Sequence, residues 1–189
     1  EAGIIRKDYF DFRFRHPLFA EYFAALTLLY KEDLRQYASS EYTWSGALVV
    51  LASYSDKKRK EVQAAFLEEL KDLEKVSDHS RRGLLWALGE IGDHFALKEL
   101  LDFFNKPNLD KREKLLTPIG RIAKRLPESK REKRLATEVL KAHLENLLKS
   151  PDIDSIDDFL KSGFDYPLSI WTAVDGVSEL GSVEAANII

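Results

Sequence analysis

The sequence predicts an all-α chain of antiparallel helix pairs, opened by one short strand-to-helix unit. Three observations carry that expectation. Apolar residues recur at three- and four-residue spacing in successive windows from residue 36 onward. Turn signals near Asp56, Asp93 and Pro127 stand roughly 34 to 37 residues apart, inside the range of helical repeats. Only Phe10–Phe14 alternates aromatic with charged residues, and no other clear strand follows.

In chain order, Phe10, Phe12 and Phe14 alternate with Asp11, Arg13 and Arg15, which predicts a half-buried strand with its rings on one face. His16 stands at the break, and Pro17 suits the first turn of a helix, where a missing N–H costs nothing. Leu18, Phe19, Tyr22, Phe23, Leu26 and Leu29 then make the apolar stripe of an amphipathic helix. Ser39-Ser40 can cap a helix that buries Trp44, Leu48, Leu51 and Ala52. Asp56 restarts the chain before Val62, Phe66, Leu70 and Leu73. Ser77 and Asp78 open a third helix, with Leu84, Leu85, Leu88 and Ile91 inward and Gly92 as its stop. A fourth follows Asp93 and buries Leu97, Leu100, Leu101 and Phe104.

The pairing repeats after the turn around Pro107. Asp110 leads into a helix with Leu115, Leu116, Ile119 and Ile122, in which Pro118 predicts a kink. Pro127-Glu128-Ser129 breaks the chain before Leu135, Val139, Leu140, Leu144, Leu147 and Leu148. Ser150-Pro151-Asp152 is the next break. A short helix carrying Ile156, Phe159 and Leu160 ends at Gly163, and another runs from Pro167 through Ile170, Trp171, Val174, Val177 and Leu180.

Two resemblances follow from these residues. Leu88-Gly89-Glu90-Ile91-Gly92-Asp93 before an Ala- and Leu-bearing helix resembles the HEAT-repeat family, as does Leu180-Gly181-Ser182-Val183-Glu184-Ala185-Ala186. The implied fold is a HEAT/ARM-like superhelix of αα-hairpins, in which each pair completes its core by stacking on the next. Phe14-Arg15-His16-Pro17-Leu18-Phe19-Ala20-Glu21-Tyr22-Phe23-Ala24-Ala25 resembles the end of the winged-helix region of NACHT-type STAND NTPases. That family reads aromatic-x-His-x-x-Phe-Gln-Glu-Tyr-x-Ala-Ala. His16, Phe19, Glu21, Tyr22 and Ala25 fall on the pattern, while Ala20 stands where the family has Gln. The resemblance implies that His16 reaches the phosphates of ADP held by the parent's NTPase domain. Residues 1–35 are then the end of a winged-helix-like unit, and 36–189 are HEAT-like repeats cut short at the C-terminus.

Composition bounds the function classes. A chain of 189 residues can bury a real core, and its formal charge of -3 demands neither nucleic acid nor membrane. No run approaches the roughly 18 apolar residues of a membrane span. With no cysteine there are no disulfides, thiolate metal sites or cysteine nucleophiles, which suits a reducing cytoplasm. Methionine is absent even at position 1, so the chain is expected to be a piece of a longer polypeptide.

One basic segment invites a binding role. Lys111, Arg112, Lys114, Arg121, Lys124, Arg125, Lys130, Arg131, Lys133 and Arg134 face only Glu113, Glu128 and Glu132 across the same stretch. Such a segment can follow a phosphate backbone or an acidic protein surface, or be the solvated exterior of a helix pair. It has no aromatics to stack on bases. Asp152, Asp154, Asp157 and Asp158 lack the spacing of a calcium loop and suit a helix start. His79, His94 and His143 show no metal-ligand spacing, and Trp44, Trp86 and Trp171 are expected in the repeat core or along its concave face. No nucleophile elbow, P-loop or dinucleotide fingerprint occurs, so catalysis and a bound cofactor are not expected within this segment. The expected role is a regulatory or sensor segment of a signalling ATPase, in bacteria often one of defence against phage. Its partners would be a protein ligand or other domains of the same chain, and ADP or ATP would belong to the parent. The alternative is a stand-alone α-solenoid adaptor, with residues 111–134 as a nucleic-acid surface.

Overall fold

The computed structural model describes residues 5–7, 12–14, 16–38, 43–71, 78–106, 112–148 and 175–179. Strand β1 (Ile5–Lys7) pairs antiparallel with β2 (Phe12–Phe14), Ile5 opposite Phe14 and Lys7 opposite Phe12. The first of these strands has no counterpart in the sequence reading, because three residues are too few to show a period. Every regular element after Phe14 among the described residues is helical.

Helix α1 (Pro17–Leu28) starts at Pro17, whose fixed φ and absent N–H suit a first helical position. A one-turn helix, α2 (Arg35–Ala38), follows, opened by Asp33, whose carboxylate accepts from the Arg35 amide at 2.9 Å. Helix α3 (Thr43–Ala52) turns through residues 53–55 into α4 (Asp56–Leu70). There Ser55 is the N-cap, accepting from the Lys58 amide at 3.1 Å. Helix α5 (Asp78–Ile91) ends before Gly92. Its last carbonyl, at Ile91, accepts a 2.9 Å bond from the buried Gln63 amide on α4, which satisfies a group that would otherwise be orphaned. Helix α6 (His94–Phe104) is capped by Asp93, which accepts from the Phe95 and Ala96 amides at 2.9 and 3.2 Å.

The kink expected at Pro118 takes another form. A 3₁₀ turn (Arg112–Leu115) runs straight into α7 (Leu116–Arg125), so Pro118 is the third residue of the α-helix. At that position its missing N–H would have had no partner, and the tighter turn ahead of it relieves the clash of its ring with the preceding carbonyls. Helix α8 (Arg131–Leu148) follows a five-residue turn, and residues 175–179 are helical.

Packing divides the chain between Ile91 and Gly92. In the first unit α3 is central, touching α1, α4 and α5, around a core of Leu48, Leu51, Val62, Phe66, Leu70, Leu84 and Leu88. In the second unit α6, α7 and α8 pack on one another over Leu97, Leu100, Leu116, Ile119, Ile122, Leu140 and Leu144. Leu135, expected inside, is 39% exposed and lines a shallow groove between α6 and α8 with Leu101 and Val139. Trp86 is also partly exposed, while Trp44 is half-buried and meets the Tyr37 ring edge-on at 5.0 Å.

Several expectations lie outside the described residues. They are the strand positions Phe10, Asp11 and Arg15, the caps Ser39-Ser40 and Ser77, Leu73, residues 107–111, the acidic group 152–158, the helix over 156–163, Trp171, and the turn from Gly181. So do the side chains of Phe12, Arg13, Phe14, His79, Arg112, Leu147 and Leu148. The helix expected from Pro167 is described only over 175–179.

Candidate functional site

His16 has extended backbone and acts as the N-cap of α1. Its Nδ1 accepts from the Leu18 amide at 3.2 Å. An imidazole nitrogen that accepts carries no proton, so in the neutral ring the proton sits on Nε2, which is left as a donor. The whole residue is exposed. The corner therefore holds an exposed ring in a set tautomer by a single backbone contact.

The helix that follows is rotated from the sequence reading, with Leu26 and Leu29 of the expected stripe half-buried. Leu18, Phe19, Tyr22 and Phe23, expected on the core face, are 60%, 40%, 46% and 43% exposed. The side that packs on α3 carries Glu21, Ala25 and Leu28 instead, with Ala25 and Leu28 fully buried. The cause lies on α3. Gly46 offers no side chain, so Glu21 lies directly against it and α1 approaches closely on its small-residue side. A second apolar face remains outward. It surrounds a shallow depression of about 540 Å³ lined by Leu18, Phe19, Tyr22, Phe23 and Val50. Within it Tyr22 and Phe23 meet edge-to-face at 5.6 Å. Tyr54 is hydrogen-bonded to Tyr22, and its phenol titrates above the usual 10.0. Burial is the largest cause, followed by that hydrogen bond and by the neighbouring Tyr22 charge.

The sequence signal for this face was present. Pro17–Leu28 carries apolar residues around most of its circumference, which is the pattern of a helix covered on both sides rather than one. Four adjacent large apolar side chains left outward form a patch of the kind that marks a protein contact.

Three charges of the basic segment have partners within the chain. Arg121 donates through Nε to the Glu179 carboxylate at 2.9 Å, and Arg125 donates through Nη2 to the Gly92 carbonyl at 3.0 Å. Lys133 is 4% exposed and paired with Glu128. The first two bonds join segments distant in sequence, and the third is local to the turn before α8. Lys124, Lys130, Arg131 and Arg134 are exposed, Lys114 is half-buried, and Lys111 with the Arg112 side chain lies outside the described residues. His94 is exposed at the start of α6, and His143 meets the Phe104 ring edge-on at 5.7 Å. Among the described residues no cluster of His, Asp or Glu could hold a metal ion, and no helix is long and apolar enough to cross a membrane. Compared with known protein families, curated proteins and solved structures, the chain matches none.

Proposed function

We propose that this chain is a non-catalytic regulatory segment of a signalling STAND ATPase of the NACHT type. In that reading β2 and α1 belong to the end of its winged-helix region, residues 1–35, and residues 36–189 are HEAT-like repeats. The strand-to-helix corner faces the nucleotide-binding domain, and the repeats bind a protein ligand or hold that domain closed. One observation carries the proposal: the large apolar residues of α1 lie outward directly beyond an exposed His16. Such a face suits a protein layer placed over α1, with the ring of His16 at its edge. The short turns joining α3 to α4 and α7 to α8, together with their mutual packing, suit antiparallel hairpins of a repeat. The distribution of the basic residues favours this reading over a nucleic-acid surface, because three of them are committed internally.

The test is a double substitution, Phe19→Ser with Phe23→Ser, in the full-length polypeptide and in the 189-residue chain. Both side chains are only partly covered here, at 40% and 43% exposed, so the shorter chain should stay folded with a loss of about 1–3 kcal/mol. The full-length protein should lose its closed state, seen as faster nucleotide exchange. Unchanged exchange in the full-length variant would argue against the proposal.

A further inference from the structure

We draw no further inference here: the strongest candidate, the exposed apolar face of α1 with Val50 beside it, belongs to the site already described, and nothing in the structure shows what covers it.

Discussion

His16 serves the fold with one nitrogen, Nδ1, which accepts from the Leu18 amide. Losing an N-cap contact costs about 0.5–2 kcal/mol, and an exposed 3.2 Å bond belongs at the low end of that range. Tyr54 is a second residue whose environment is measurable. Its raised pKa means that the folded chain holds the phenolic proton more tightly than the unfolded chain does. The corresponding stabilisation is therefore fully present below the ordinary value near 10.0 and is lost as pH rises through the folded one. Tyr22→Phe removes the hydrogen bond and the neighbouring charge but leaves most of the burial. Tyrosine-ring NMR titration should therefore show the Tyr54 pKa falling part of the way back. No movement in that variant would mean that burial alone sets the shift.

At the scale of elements, two glycines mark close helix approaches with opposite tolerances. A Cβ on Gly46 would meet the far end of the Glu21 side chain, which can move. Gly46→Ala should be near neutral, since the gain in helix propensity, about 1 kcal/mol, offsets that adjustment. A Cβ on Gly120 would meet the backbone carbonyl of Gly176, which cannot step aside without undocking residues 175–179. That segment is held by Thr117 donating to Asp175 at 2.8 Å, by the Arg121–Glu179 pair and by buried Val177. Gly120→Ala should cost about 1–3 kcal/mol, and chemical denaturation of the two variants checks the contrast. Equal losses would contradict it. Helix α6 was legible in the sequence because its Asp93 cap and its Leu97, Leu100, Leu101 and Phe104 stripe are local signals that agree. The facing of α1 was not, because apolar residues lie on both sides and Gly46, on another helix, makes the choice. The internal bonds of the basic segment were not legible for a similar reason: Glu179 and Gly92, the partners of Arg121 and Arg125, are distant in sequence.

For the molecule as a whole, the helical core explains stability, while the corner and the outer face of α1 carry the functional reading. Five basic residues of the 111–134 segment, Lys124, Arg125, Lys130, Arg131 and Arg134, are exposed among the described residues, and they bound the phosphate contact that this part of the surface offers. If RNA or DNA binds at all, the slope of log K against log salt should be no steeper than about -4.5, since each of the five exposed cations can neutralise one phosphate at about -0.9. A much steeper slope would restore the nucleic-acid reading. The regulatory reading is tested most directly by ADP affinity in the full-length polypeptide, wild type against His16→Ala, with thermal melting of the 189-residue chain alongside. A hydrogen bond from Nε2 to a phosphate contributes about 1.5–3 kcal/mol. The account therefore predicts ADP binding weakened roughly ten- to a hundred-fold, with a loss of only about 1 kcal/mol in the shorter chain. Unchanged ADP affinity in the full-length variant, or a full-length protein that binds no nucleotide, would contradict it.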